Sequence, residues 1–318
     1  MNDFVRALAS IAGLAVLTAC ATEAPKPVAD STQPAVRTAE ARSPAGVQFF
    51  PREIAPARQV QLEADLDTAK RKSDASPNDA DAIIWYGRRL GYLERFQEAI
   101  KVFTDGAAKH PNDARMLRFR GHRYISVREF DKAVADLSRA AELIKGQSDA
   151  PEPDGAPNKL NIPTSTQHGN IYYHLALAHY LKADYAASLK AWEEAFRIAT
   201  NDDTRVAVND WRYMTLRRLG RDGDAKALLK SVTKELNIIE NTAYFRRMLM
   251  YKGELSADSL LSPGETDPLQ YVTQGYGVGN WYLAQGDSAR AFEIFRKITG
   301  SGYWAAFGFI AAETDLAR

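Results

Sequence analysis

Two neighbouring stretches of this chain carry the same pattern with an offset of 34 residues. Pro77-Asn78-Asp79-Ala80 recurs as Pro111-Asn112-Asp113-Ala114. The offset continues through six further pairs of similar residues, which are Gly87/Gly121, Leu90/Tyr124, Phe96/Phe130, Ala99/Ala133, Phe103/Leu137 and Gly106/Ala140. Small residues at fixed places let two helices approach closely, and bulky residues fill the space beside them. The period therefore predicts helical hairpins stacked in a row.

This pattern resembles the tetratricopeptide repeat (TPR), a helix-turn-helix unit. Related patterns begin near Gly169 and Val206, and a clear one runs from Gly279 to Asp287. The resemblance covers residues 57–318. It implies an all-α fold, namely a right-handed TPR-type helical-hairpin solenoid of about six repeats behind a disordered N-terminal tether.

Two segments interrupt or end the repeats. Residues 148–168 hold four prolines and no apolar periodicity, so they are predicted to form a loop inserted between the second and third repeats. At the C-terminus a lone helix follows the last repeat. Glu313, Asp315 and Arg318 are expected on its exposed side, as suits a helix that caps a stack.

The N-terminus has the features of an export signal. Arg6 precedes an apolar run from Ala7 to Leu17, and about eleven apolar residues are too few to span a bilayer but fit a signal-peptide core. The sequence Leu17-Thr18-Ala19-Cys20 resembles the lipobox of bacterial lipoproteins. The resemblance implies that residues 1–19 are removed and that Cys20, the only cysteine in the chain, carries acyl chains such as palmitate that anchor the protein in a membrane.

The residues after Cys20 bear on location and reach. Among lipoproteins of this kind, a residue other than Asp after the cysteine, here Ala21, implies the outer membrane with the protein facing the periplasm; the inner membrane stays open as an alternative. Residues 20–56 are rich in Ala and Pro and are predicted to form a lipidated linker. Phe49 and Phe50 are expected to pack onto a first helix at 57–74, or else to serve as a short partner-binding motif.

Composition and motifs argue against several classes of function. The chain has 41 basic and 40 acidic residues and a formal charge of +1, so it lacks the basic surface typical of nucleic-acid binding. His174 and His179 are five residues apart and lie on different faces of a helix, and no HExxH motif accompanies them. The glycine-rich stretch 275–279 follows no strand. We therefore predict no enzyme activity, no catalytic residues, no metal and no cofactor.

The resemblance also implies a binding surface, since the first helix of each TPR lines a concave groove. The side chains assigned to this groove are Arg88, Tyr92, Arg115, Arg118, His122, Asn170, Tyr173, Tyr180, Arg217, Tyr276 and Asn280. Arginine pairs with carboxylates through two hydrogen bonds, and tyrosine offers a large contact area. An acidic or C-terminal peptide segment of a protein partner is the predicted ligand. The alternative is that these arginines are solvated and paired with neighbouring acids.

Together these features predict a membrane-anchored scaffold of the bacterial envelope that binds a protein partner in its groove and contacts no nucleic acid. One alternative is a self-associating structural lipoprotein, a homo-oligomer whose contact consists of Tyr303, Trp304, Phe307 and Ile310. Another is a small-molecule binder or enzyme, which would need an enclosed pocket beside His174 and His179.

Overall fold

The computed structural model describes residues 38–261 and 268–318. The expected signal peptide at 1–19, the acylated Cys20 and the first part of the expected linker lie outside these described residues. The elements, in chain order, are β1 (Ala41–Arg42), β2 (Gln48–Phe49), α1 (Pro56–Ala75), α2 (Ala80–Tyr92), α3 (Phe96–Lys109), α4 (Ala114–Ser126), α5 (Phe130–Leu143), α6 (Gln167–Leu181), α7 (Tyr185–Ile198), α8 (Asp202–Arg218), α9 (Asp222–Leu228), α10 (Thr242–Tyr251), α11 (Ala257–Leu261), α12 (Pro268–Ala284), α13 (Ser288–Thr299) and α14 (Phe307–Leu316).

These helices pair in sequence as hairpins, α2 with α3, α4 with α5, and so on to α12 with α13. The prediction of an all-α, TPR-type helical-hairpin solenoid is confirmed. The first helices of adjacent hairpins also contact one another, as α2 and α4 or α10 and α12 do. We call the surface that these first helices share the inner face. The second helices of the fourth and fifth hairpins, α9 and α11, are only 7 and 5 residues long.

The repeated Pro-Asn-Asp-Ala motif has a local structural reason. Asp79 stands just before α2, and its carboxylate accepts hydrogen bonds from the backbone N–H groups of Asp81 and Ala82. Asp113 does the same for Arg115 at the start of α4. Such caps satisfy N–H groups that have no partner inside the helix. The motif therefore fixes where each hairpin begins.

Close helix packing explains the small residues of the repeat. A Cβ atom placed on Gly87 would lie 2.4 Å from the Phe103 ring, and one on Gly279 would lie 2.4 Å from the Phe295 ring. Both contacts are shorter than a side chain tolerates. The prediction that small residues allow the two helices of a hairpin to approach is confirmed for these hairpins.

The turns inside the hairpins share a left-handed residue. Gly220, Gly253 and Gly286 take φ values of 68°, 81° and 87°. At the corresponding places of the first two hairpins, Glu94 and Arg128 adopt φ values of 56° and 68°. This conformation costs a residue with a Cβ about 1–2 kcal/mol. The side chains of Glu94 and Arg128 form ion pairs with Arg52 and Glu313.

The C-terminal helix α14 is not an exposed cap. It packs against α6, α12 and α13, and Glu313 and Asp315 are only 8% and 5% exposed. Glu313 pairs with Arg128 at 2.9 Å, and Asp315 pairs with Arg218 at 2.5 Å. The expectation of an outward acidic side is wrong because Arg128, in the turn between α4 and α5, and Arg218 of α8 pair with these acids. Arg318, beyond the helix, is exposed.

The chain before α1 also departs from expectation. Residues 38–55 lie in the predicted linker, yet β1 and β2 pair as an antiparallel hairpin. Phe49 stacks on Trp304 with ring centroids 5.4 Å apart, and the indole N–H of Trp304 donates to the carbonyl of Phe50 at 2.8 Å. Phe49 therefore packs against the C-terminal region rather than onto the first helix. Trp304 and Ile310, two residues of the alternative dimer contact, are 3% and 0% exposed within the chain.

Candidate functional site

The inner face differs between its two halves. In the C-terminal half, α14 lies against α6 and α12 and covers the side chains beneath it. In the N-terminal half, a cavity of about 690 Å³ lies between α2, α4, the start of α6 and the inserted loop. The N-terminal half therefore offers room for a ligand on this face.

Three residues assigned to the groove are buried in the covered half. Tyr180, Tyr276 and Asn280 are 0%, 0% and 1% exposed. The Tyr276 hydroxyl lies 2.8 Å from the Tyr180 hydroxyl and 3.0 Å from the Asp315 carboxylate, and the Asn280 amide is 2.7 Å from the Tyr180 hydroxyl. This polar network holds α14 in place, because buried polar groups need partners.

Three more of the predicted residues make contacts within the chain. The backbone carbonyl of Asn170 accepts a hydrogen bond from Nδ1 of His174 at 2.6 Å. Tyr173 is half-buried, with its ring 5.6 Å from that of His174. Arg217 pairs with Asp222 at 2.8 Å. None of these three residues lines the N-terminal cavity.

The remaining predicted residues gather in the N-terminal half. Arg88, Arg115 and Arg118 line the large cavity. Arg88 and Arg118 also line an adjoining cavity of about 200 Å³ together with Tyr92 and His122. We call these two cavities the N-terminal groove. Arg115 is already paired at its edge, since it contacts Asp113 and Asp81.

Aromatic rings position the arginines of this groove. The guanidinium of Arg88 lies 4.3 Å from the ring centroid of Trp85 and 5.1 Å from that of Phe119. The guanidinium of Arg118 lies 4.3 Å above the same Phe119 ring. Such cation–π contacts favour a charged group on the ring face. The two cations are thus held at the groove before any ligand arrives.

Positive charge exceeds negative charge in the smaller cavity. Among its described lining residues are Arg88, Arg118 and Arg123, and the single acid is Glu152 from the inserted loop. Glu152 pairs with Arg118 at 2.9 Å, with side chains 10% and 8% exposed. Glu94 also attracts Arg123, but it is itself paired with Arg52.

Burial is the main cause that lowers the pKa values of these arginines, and repulsion between them adds to it. Burial, followed by repulsion from Arg118, lowers the pKa of Arg123 to about 9. Burial also lowers the pKa of Arg118, although Glu152 opposes the shift. Nε of Arg118 is buried and has no hydrogen-bond partner among the described residues. An added anion would relieve both the repulsion and this unmet donor.

Two histidines mark the boundary between the halves. The rings of His122 and His174 are 4.3 Å apart, and Phe307 of α14 lies 5.4 Å from His122. Burial lowers the pKa of each well below its usual range, and neighbouring cations add to the effect, so both are neutral near pH 7. In residues 38–261 and 268–318, no three His, Cys, Asp or Glu side chains are grouped to hold a metal ion.

Sequence reasoning missed four residues of the groove. Trp85 and Phe119 were assigned to no role, although aromatic residues near a helical arginine can be recognised as stacking partners. Arg123 lies five residues after Arg118, a spacing that places it on another side of the helix. Glu152 carries no local signal, because only the fold brings its loop back to α4.

Comparisons with known proteins give a limited result. Neither a protein-family model nor a curated protein sequence matches the chain. One similar solved structure is a tetratricopeptide repeat protein from Parabacteroides merdae ATCC 43184, with 18% identity, a TM-score of 0.48, and coverage of 78% of this chain and 89% of that chain. Another is YrrB, described as a TPR protein with an unusual peptide-binding site, with 13% identity, a TM-score of 0.42, and coverage of 74% and 93%.

None of the helices in the described ranges is both long enough and apolar enough to cross a bilayer. The described residues instead form hairpins whose helices are mostly 10 to 17 residues long. The paired helices of this chain and its 34-residue sequence repeat define a TPR-type helical-hairpin solenoid.

Proposed function

We propose that this chain is a membrane-anchored adaptor of the bacterial envelope whose N-terminal groove binds an acidic segment of a protein partner. The observation that carries the proposal is the cluster of Arg88, Arg118 and Arg123 around a cavity with one acid, Glu152. A cluster of cations with fewer anions attracts carboxylates, and arginine binds them through paired, charge-assisted hydrogen bonds.

The volume and the aromatic lining of the groove suit a bound peptide. Its larger cavity, about 690 Å³, falls in the range of ligand pockets. Trp85 and Phe119 supply apolar contact area beside the cations. A partner segment would place a carboxylate on the arginines and its neighbouring side chains on the aromatic rings.

The anchor would raise the rate and extent of capture. We propose that acyl chains on Cys20 hold the protein in the outer membrane with its fold in the periplasm. A groove tethered near a membrane meets a partner in the same compartment at an effective concentration above its bulk value. The mechanism is recruitment without catalysis.

Binding can be tested with a defined probe. A fluorescent decapeptide rich in glutamate is titrated into the chain without its first 19 residues, and a matched peptide with glutamine at every glutamate serves as the uncharged control. We expect the acidic peptide to bind, with an affinity that falls as salt rises, since salt screens exposed charges. Equal binding of the two peptides would contradict the proposal.

Matched protein variants locate the site. Arg88→Glu places a negative charge in the groove, and Arg139→Glu makes the same change at an exposed position on α5. We expect Arg88→Glu to weaken acidic-peptide binding at least tenfold, or about 1.4 kcal/mol, and Arg139→Glu to have little effect. Envelope proteins that the wild type captures and Arg88→Glu loses would then be the candidate partners.

The anchor requires a separate experiment. Cys20→Ala removes the thiol that acylation needs, so the protein should move from the membrane pellet to the soluble fraction while its circular dichroism spectrum stays helical. Retention of the variant in the pellet after a high-salt wash would show that the protein is attached by other means.

A further inference from the structure

The inserted loop, predicted at 148–168, ends at residue 166 because α6 begins at Gln167, and it lies across the N-terminal groove. Its two ends are tied together, because the N–H of Glu152 donates to the Ser165 carbonyl at 3.0 Å and the N–H of Gln167 donates to the Ala150 carbonyl at 2.9 Å. The segment between these ties is free of helix and strand apart from a single bridge near its base. The ties direct this segment back over α2 and α4.

Three groups of the loop contact arginines of α2 and α4, two of which line the groove. The Glu152 carboxylate accepts from Arg118 at 2.9 Å. One residue later, the Pro153 carbonyl accepts from Nη1 of Arg88 at 2.7 Å. The Gly155 carbonyl lies 3.4 Å from Nη1 of Arg89. One carboxylate and two backbone carbonyls in a segment without helix or strand are groups that a bound peptide would present.

Gly155 shows how closely the segment approaches the groove. A Cβ atom at this position would lie 2.3 Å from the hydroxyl oxygen of Tyr92. Tyr92 is also the acceptor of a hydrogen bond from Arg88 at 3.2 Å. With Tyr92 in this position there is no room for a side chain at residue 155, so the segment fits the groove in shape as well as in charge.

Residues 152–157 of the loop have little buried surface, whereas the other end of the loop is fixed, because the Thr164 carbonyl accepts hydrogen bonds from Asn201 and Thr204. Pro153, Asp154, Ala156 and Pro157 are exposed, and Glu152 is the residue of the segment with a buried side chain. Segments with little buried apolar surface open at a small free-energy cost compared with the core. The segment can therefore leave the groove while the helices stay folded.

We infer that residues 152–155 are an internal ligand of the N-terminal groove, which the acidic segment of a partner must displace. The part that concerns the partner rests on the proposed function. The contacts also specify the partner: a carboxylate for Arg118, a free backbone carbonyl one residue later for Arg88, and a small residue after that to pass Tyr92.

The energetics follow from the tether. A ligand on a short loop acts at an effective concentration in the millimolar range, so a weak contact still occupies the groove. An external peptide binds only the open fraction, and its apparent dissociation constant equals the intrinsic value divided by that fraction. Releasing the loop should therefore strengthen binding of an external peptide.

The test uses a fluorescent synthetic peptide with the sequence of residues 149–158, titrated to millimolar concentration into four proteins. These are the wild type, Glu152→Gln, Gly155→Val and the control Asp154→Asn. Glu152→Gln releases the loop by removing its charge, and Gly155→Val releases it by a clash with Tyr92. The control removes a charge from an exposed position of the same loop.

We expect the peptide to bind Glu152→Gln and Gly155→Val at least tenfold more tightly than it binds the wild type or Asp154→Asn. A peptide with glutamine in place of its glutamate should lose most of this binding. Circular dichroism checks that each variant is folded, and the two releasing variants act by different means. Equal affinity for all four proteins, or no binding to either released variant, would overturn the inference.

A parallel titration with the glutamate-rich decapeptide separates this inference from the proposed function. If only the 149–158 peptide binds the released variants, the internal ligand stands and the proposed partner class fails. If the glutamate-rich peptide binds the wild type and both released variants equally, the proposed function stands and the internal ligand is disproved.

Discussion

The two halves of the inner face are built from the same hairpin and end in opposite states. In the C-terminal half, α14 buries Phe309 and Ile310 to 2% and 0% exposure and pairs its acids with Arg128 and Arg218. In the N-terminal half, a loop covers the arginines with one carboxylate and two carbonyl groups. The helix α14 covers the C-terminal half with buried apolar side chains and ion-paired acids, whereas the loop covers the N-terminal half with polar groups and is mostly exposed.

The difference shows that a position on the repeat does not by itself decide whether a residue is core or binding surface. Tyr180 and Arg118 both lie on first helices, yet Tyr180 is sealed under α14 and Arg118 faces a cavity. What decides the role is the apolar area that the covering segment buries, because burial of apolar surface is the main source of stability.

The largest effect is expected from neutralising an acid of the sealed half. Asp315→Asn removes the charge opposite Arg218, whose pair is 2.5 Å long with the Asp315 side chain 2% exposed. Leaving a buried charge without its partner should lower the free energy of unfolding by about 3 kcal/mol. Urea unfolding followed by circular dichroism measures this loss.

Asp105→Asn is the matched control, since its pair with Lys101 is exposed and is expected to be worth less than about 1 kcal/mol. Equal losses for the two variants would show that the packing of α14 does not depend on the ion pair between Asp315 and Arg218.

An intermediate effect is expected at the boundary between the halves. Burial lowers the pKa of His122 and of His174, so the unfolded chain binds more protons than the folded chain once the pH falls below about 6.5. Stability is therefore fully present above pH 6.5 and is lost as the pH falls, by up to about 1.4 kcal/mol per pH unit for each histidine. Urea unfolding at pH 7.5 and 5.5 measures the loss.

The double variant His122→Gln, His174→Gln tests the assignment of this pH dependence. Its unfolding free energy should change less between pH 7.5 and 5.5 than that of the wild type. An unchanged dependence would place the responsible groups elsewhere.

The smallest effect is expected in the loop-covered half. Glu152→Gln also removes the partner of a buried arginine, but here the loop can move aside and water can reach Arg118. We expect the free energy of unfolding to fall by less than about 1 kcal/mol, as for a pair near solvent. A loss as large as that of Asp315→Asn would remove the distinction between the two covers.

Much of the fold could be predicted from local sequence. The Pro-Asn-Asp-Ala motif marks helix starts because Asp79 and Asp113 cap α2 and α4. Gly87 and Gly279 mark close contacts inside hairpins. On α1 the apolar Val60 is 70% exposed while Leu62 and Leu66 are buried, because the spacing of a few apolar residues does not resolve which of them face the neighbouring helix.

The positions of the two ends could not be predicted. Phe49 and Trp304 are 255 residues apart in sequence, and nothing local to either residue indicates that their rings stack. Likewise, nothing local to Glu152 or Arg118 indicates that the two side chains form an ion pair. Arg88, Arg115 and Arg118 of the candidate site were found because they follow the repeat. Trp85, Phe119 and Arg123 also lie within the repeats but were not assigned, and Glu152 comes from a segment outside them.

The bond between the Trp304 indole and the Phe50 carbonyl has a consequence for how this chain folds. In an ordinary solenoid each repeat contacts only its neighbours, so repeats can form and unravel one after another. Here hydrogen bonds span 254 residues between Phe50 and Trp304 and 185 residues between Arg128 and Glu313. Such long-range contacts raise the contact order and slow folding. The array should therefore fold as one cooperative unit that is completed only when Trp304 and α14 have packed against the N-terminal elements.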